Sequence, residues 1–299
     1  MANKNFAAIL LFLLFAILCC WFFLLEKGAY TTSFTTSSAP GVVYEKVLNW
    51  KFRKFQEVEI VEKMPFYNIR QKLDFRKDST FLDWSFIPLN DSITQVELKA
   101  ISANPSFENR LKMLFKNDKL EEGLETELAQ LQETLISDKE LYSVQVNGET
   151  TSPASNCACI SLNSKTDGKA FKMMASIDHL SDFVLENNLE TTGRPRVIIQ
   201  KWNIKKDSIA FDFCFPVLAE KQPQHPLIFF RNIPAVLSLK ATFRGNYMFS
   251  HLAWYELLNY AERNGYEVQP LPQEIFYDNP ELGGDSRNWK AEIFFPLKQ

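Results

Sequence analysis

The last half of this chain carries one segment order twice. A helix and two strands close in Phe215-Pro216-Val217, and the same order closes again in Phe295-Pro296-Leu297. A repeated β-α-β-β unit of this kind leads us to expect two half-domains with a small-molecule pocket between them. No catalytic signature accompanies it: G-x-S-x-G, H-E-x-x-H and G-x-x-x-x-G-K are all absent.

Composition narrows the class further. The chain has 299 residues, 46% of them apolar, which is enough for two domains each with its own core. A net charge of -3 and the lack of a polybasic arm give no bias toward nucleic acid. Phe contributes 26 residues against 10 Gly, which suits aromatic-walled sheets better than phosphate-cradling loops. Phe6 to Leu25 is an uninterrupted apolar stretch, close to the ~20 residues a helix needs to cross a bilayer. It reads as a membrane anchor over residues 1–28, with a cleaved signal peptide as the competing reading. The localisation expected from it is single-pass membrane, with a slight lean to an extracytoplasmic bulk from Lys4 and the α-amine. Five cysteines, two of them in that stretch, offer no disulfide framework.

Ala29 to Ser37 reads as a strand and Pro40 to Trp50 as a short helix with proline in its first turn. Three extended runs follow, Phe66 to Arg76, Thr80 to Leu89 and Ile93 to Ser102, separated by turn residues. Asn104-Pro105 opens a helical region in which Leu120, Leu124, Leu128, Leu131 and Leu135 recur at three- and four-residue spacing. With Ala39-Pro40-x-x-Val43-Tyr44, Asn49-Trp50 and Gly123-Leu124, this order resembles the START-like helix-grip superfamily (SRPBCC, polyketide cyclase) over roughly residues 29–138. The resemblance implies a curved sheet around a long helix. The copy is abbreviated after its first helix, so it implies no activity here.

Past a linker near Ser137 to Tyr142, strands are expected at Cys157 to Ser164, Arg196 to Trp202 and Ser208 to Val217, with a helix at Ile177 to Asn187. In the second copy Ala235 to Phe249 is extended, Ser250 to Asn264 helical with Ser250 as N-cap, and Gln273 to Tyr277 and Trp289 to Leu297 are strands. The stretches Phe243-Arg244-Gly245-Asn246-Tyr247, Trp254, Pro272-x-Glu274-Ile275-Phe276, Asn279-Pro280 and Ala291-Glu292-Ile293-x-x-Pro296 are similar to the gyrase-inhibitor-like domain, the effector-binding module of AraC-type and multidrug-responsive regulators. That resemblance spans about residues 142–299, within a domain expected at 139–299. The expected fold class is therefore α+β: an N-terminal transmembrane helix, a helix-grip domain, then a duplicated β-α-β-β effector-binding domain.

Glu292 is the leading site candidate. Strand alternation puts Ala291, Ile293 and Phe295 on one face and Lys290, Glu292 and Phe294 on the other, which would face the groove between repeats. A solvated edge glutamate, or one paired with Lys290, is the plain alternative. Glu274 is the second carboxylate, on one face with Phe276. Tyr247, Trp254, Phe276, Tyr277 and Trp289 are candidate wall residues, because aromatic faces attract cations and bury flat apolar ligands; core filling is as good an account of any one. Phe276 stands where the family commonly has tyrosine. Cys157-Ala158-Cys159 and three scattered histidines make no metal site, and no cofactor is expected.

The first functional reading is a membrane-tethered protein that binds or senses an amphipathic small molecule, cationic among the options, without a DNA-binding domain or nucleic-acid partner. The second is a hydrolase of electrophilic small molecules with Glu292 as general base, which the resemblance implies for some relatives. The third is a protein-interaction module.

Overall fold

The computed structural model describes residues 12–17, 29–55, 57–75, 78–103, 119–218, 220 and 222–298. These residues build mostly antiparallel sheets, and no helix among them is long and apolar enough to cross a membrane. That finding corrects the expected fold class with its transmembrane helix, and with it the single-pass membrane localisation and the membrane partner. Of Phe6 to Leu25, residues 12–17 are helical; the rest of that stretch, and the helical opening at Asn104-Pro105, lie outside the described residues.

The first unit is a five-stranded sheet. Strand β1 (Ala29–Thr36) leads into helix α1 (Pro40–Leu48), then β2 (Glu57–Met64), β3 (Asn68–Phe75), β4 (Asp78–Pro88), β5 (Thr94–Ser102) and the long helix α2 (Lys119–Asp138). The sheet order β1-β5-β4-β3-β2 brings the first strand back beside the last, so α1 is carried across one face. Thr94, Val96, Leu98 and Ala100 of β5 alternate inward, as a half-buried strand requires. They share a core with Val43 and Val47 of α1 and with Leu124, Leu128, Leu131 and Leu135 of α2, the leucine stripe read from the sequence. Glu127 of α2 is buried beside that stripe. Its carboxylate accepts the backbone N–H of Arg53 (2.7 Å) and Lys54 (2.6 Å) and the indole N–H of Trp50 (3.1 Å), closing the loop after α1. Gly123 lets the ring of Phe55 approach the helix there, since a Cβ on it would lie 2.8 Å from the ring tip.

The second unit is one curved antiparallel sheet in the order β11-β7-β10-β9-β13-β14-β12-β6. Its strands are β6 (Tyr142–Ser152), β7 (Ser155–Ser164), β9 (Arg196–Asn203), β10 (Ser208–Leu218), β11 (Ile228–Ile233), β12 (Val236–Gly245), β13 (Gln273–Phe276) and β14 (Lys290–Pro296), with a two-residue β8 (Glu190–Thr191) against β10. Helices α3 (Lys169–Met174) and α4 (Ile177–Glu186) belong to the first repeat and α5 (Leu252–Arg263) to the second. The register shows the duplication directly. Pro216 lies opposite Cys157 where β10 pairs β7, and Pro296 lies opposite Ser238 where β14 pairs β12. Each repeat's outermost strand comes from the segment before the other repeat: β6 precedes β7 but pairs β12, and β11 precedes β12 but pairs β7. The halves are thereby interlocked, and meet where β9 pairs β13.

One expectation about cysteine is corrected as well. Cys159 and Cys214 face each other across β7 and β10 and are disulfide-bonded, with Cα atoms 4.1 Å apart, while Cys157 is free and buried. Cross-strand register, which spacing alone does not reveal, makes the pair.

Helix α5 joins the two units. Glu45 of α1 accepts from the Tyr255 hydroxyl (2.7 Å) and lies 3.1 Å from Nε2 of His251; Glu256 pairs with Lys139 (3.3 Å). At the other end Arg263 donates to the carbonyls of Pro88 and Leu89. The helices cross closely because position 41 has no side chain: a Cβ there would be 2.7 Å from Cβ and Cγ of Tyr255. Alanine is the better helix former by about 1 kcal/mol, but Cβ of Tyr255 is fixed to the backbone and cannot swing aside. Gly41→Ala is therefore expected to lower stability by about 1–3 kcal/mol, read as a lower urea midpoint; an unchanged or raised midpoint would show that the crossing is not close-packed.

Candidate functional site

Residues directly opposite in a sheet share a face, and this sorts the candidate acids. Glu274 lies opposite Ile293 and Val197, on the side covered by α3, α4 and α5. Glu292 lies opposite Ile275 and Thr242, on the side turned away from the helices. The alternation read along β14 holds, with Ala291, Ile293 and Phe295 in the core. The side assigned to Glu292 does not, because the groove opens on the helix side.

A pocket of about 530 Å³ lies between the repeats on that side, within the range typical of small-molecule sites. Its floor is Phe213 and Phe215 of β10 together with Ala170 and Met173 of α3, and Ile177 and Ser181 of α4 close one flank. The second repeat supplies the opposite wall: Tyr247, Met248, Phe276, Tyr277 and Trp289. Tyr247 packs edge-on to Phe276 (centroids 4.8 Å) and against Trp289 (5.4 Å). Its hydroxyl donates to the carbonyl of Lys290 (2.8 Å) and accepts from the N–H of Asp278 (3.0 Å), which pins the loop after β13. Burial raises its pKa, so it stays protonated in that bond. Around the mouth stand Asp167, Arg194, Asp278 and Glu281. Four of the seven candidate residues, Tyr247, Phe276, Tyr277 and Trp289, line this pocket.

The other three do not. Trp254 is fully buried in α5, and its indole N–H donates to Glu274 at 2.6 Å. Glu274 is also fully buried, behind the pocket wall, and is ion-paired with Lys169. Ser250 does not cap α5 with its side chain. Its hydroxyl instead accepts from the Lys169 ammonium (2.8 Å) and donates to Glu274 (3.0 Å). Glu292 is held by Lys240 (2.9 Å), Lys290 (2.8 Å) and the Tyr277 hydroxyl (2.9 Å). Burial works to raise its pKa, but hydrogen bonds from Lys290, Lys240 and Tyr277 outweigh it and bring the group below its ordinary value. Tyr277 moves the other way, pushed up to about 12 by burial and then by Glu292. A carboxylate so stabilised is a weaker base, and it is outside the pocket lining, so the hydrolase reading loses its general base.

Lys169, Ala170, Met173, Phe213, Phe215 and Arg194 were not singled out by the sequence. A signal for Lys169 existed: Lys169, Met173, Ile177, Leu180 and Val184 fall at three- and four-residue steps, so the lysine heads the apolar stripe of α3 and α4. Among the described residues no group of three or more His, Cys, Asp and Glu side chains is placed to hold a metal ion.

Residues 150–298 match the family described as the GyrI-like small molecule binding domain. No curated protein matches the chain. Among solved structures it is similar to the C-terminal domain of EcmrR at 21% identity and TM-score 0.45, covering 53% of this chain and 99% of that one. It is similar to EcmrR in a DNA complex at 20% identity and TM-score 0.44, covering 65% and 73%. It is similar also to SAV2435 bound to tetraphenylphosphonium at 10% identity and TM-score 0.33, covering 52% and 93%.

Glu292→Gln tests the structural role. A carboxylate whose folded pKa is depressed contributes stability above its unfolded pKa and loses it as pH falls through the folded value. The wild type should exceed the variant by about 1–2 kcal/mol at pH 7, with the gap closing as pH drops below the ordinary value of 4.5. Urea titrations at pH 7 and pH 3 read this; a gap that persists at pH 3 contradicts it.

Proposed function

Residues 150–298 are a GyrI-like small-molecule binding domain, and from that premise we propose that the chain captures a compact amphipathic molecule in the pocket between its repeats. The observation that carries this is a continuous apolar chamber of about 530 Å³ to which both halves contribute walls. The apolar part of the ligand packs against Met173, Phe213, Phe215 and Phe276. Its polar or cationic end stays at the mouth, where Asp167, Asp278 and Glu281 outnumber Arg194. Phe171 and Met248, both well exposed beside the opening, add an adaptable apolar rim.

We read the chain as a sensor with two units, residues 29–138 as a helix-grip unit of START type and 139–299 as the receptor. The order strand, helix, four strands, long helix supports the first assignment. The segment Asn246 to Met248 supports a link between the units, because it lines the pocket and runs within a few residues into α5, whose other side grips α1.

The test is a thermal-shift screen of the full-length protein with hydrophobic cations, fatty acids and neutral aromatics, repeated on Ser181→Trp. Ser181 is exposed on α4 and lines the pocket, so the indole fills the chamber without disturbing the core. At least one class should raise the melting temperature of the wild type, by the equivalent of about 2–3 kcal/mol at 100-fold excess over Kd, and the variant should not respond. If no class stabilises the wild type, or the variant responds equally, the pocket is not a receptor.

A further inference from the structure

Lys169 is the anomaly of this structure. It is 0% exposed, among the largest fully buried side chains, and a buried ammonium is costly unless it is closely compensated. Its partners are the Glu274 carboxylate, the Ser250 hydroxyl at 2.8 Å, and the rings of Trp254 and Phe276 with centroids 4.9 Å and 5.6 Å from the ammonium. A carboxylate with two aromatic rings is the chemistry by which proteins recognise a ligand cation. The indole N–H of Trp254 and the Ser250 hydroxyl hold the carboxylate in place. This compartment adjoins the pocket, since Phe276 and Ala170, the residue next to Lys169, both line the chamber.

We propose that Lys169 is a built-in occupant of a cation-binding compartment at the back of the pocket, and that it is the residue setting the ligand's chemistry: the deep end accepts only uncharged groups. The inference rests on the reading of the pocket as a small-molecule site and sharpens it. To place its own cation against Glu274, a ligand would have to displace an ammonium tethered in the same molecule and already paired with that carboxylate. A charged end is therefore confined to the mouth, and the chamber selects for a neutral apolar body.

The test uses two probes of equal shape, benzyltrimethylammonium and its uncharged carbon isostere neopentylbenzene. Affinities are measured by calorimetry on the full-length wild type, on Lys169→Ala, and on Lys169→Ala combined with Glu274→Gln. Removing the lysine frees the cage, so the preference for cation over isostere should rise at least about ten-fold in the single variant. It should return to the wild-type ratio in the double variant, which has no carboxylate to bind. A folded Lys169→Ala protein with an unmoved ratio overturns the proposal, as does a rise that survives Glu274→Gln. If Lys169→Ala does not fold alone, near-ultraviolet circular dichroism is the readout. Folding restored by the cation and not by the isostere supports the proposal, and no restoration by the cation overturns it. Failure of the pocket reading itself looks different: the wild type binds neither probe and Ser181→Trp changes nothing.

Discussion

The structure depends on a strand of four residues. Gln273 to Phe276 hydrogen-bonds to β9 on one side and β14 on the other, and through it the second repeat meets the first at the centre of the sheet. All four residues are buried, so both faces of the sheet are covered at the seam. A segment this short cannot supply much burial of its own and is held by its neighbours' ladders. It also fixes the geometry of everything functional, because alternation sends Glu274 and Phe276 toward the helices and Ile275 to the far side. The chamber opens where the seam ends, at Phe276 and Tyr277.

Helix α5 extends that constraint to the rest of the chain. Its inner side brings Trp254 to Glu274, while His251, Tyr255 and Glu256 engage α1 and the linker after α2. Ala39 and Val42 of the first unit are part of the same apolar core as the second sheet. The two units are thus packed through a shared core and not merely tethered. A change at the pocket wall near Tyr247 has a short covalent path into the helix that both units share.

Much of this was legible in the sequence, and the misses share a cause. The leucine stripe of α2, the strands β3 to β5, and the paired Phe-Pro closures are local patterns, and each is where periodicity puts it. Strands β6 and β11 were missed because their partners, β12 and β7, lie across an intervening strand or repeat and no turn signal marks the pairing. The edge strand β2, with Ile60, Val61 and Met64 well exposed, lacks the alternation that marks a half-buried strand. Cys159 and Cys214 needed cross-strand register. Lys169 was hidden by its charge, since a lysine at the head of an apolar stripe reads as a solvated helix end until its partner, 105 positions away, is known.

The duplication itself separates scaffold from site. Matching the two repeats by register makes Asp212 the counterpart of Glu292: each lies on the far side of the sheet, opposite Ser161 or Thr242, two strand positions from an equivalent side chain at Cys214 or Phe294. Both acids are answered by cations, Asp212 by Arg231 and Glu292 by Lys240 and Lys290. An ion-paired acid on the far side is thus common to both copies, and the contacts of Glu292 repeat those of Asp212 rather than distinguishing one repeat from the other. At the seam the same matching pairs Val197 with Glu274, which also face each other across β9 and β13. Valine is the residue a buried antiparallel seam favours. The carboxylate at the matching position of the other copy is buried only with a lysine, a hydroxyl and an indole around it, so the two copies fill the same seam position with opposite chemistry.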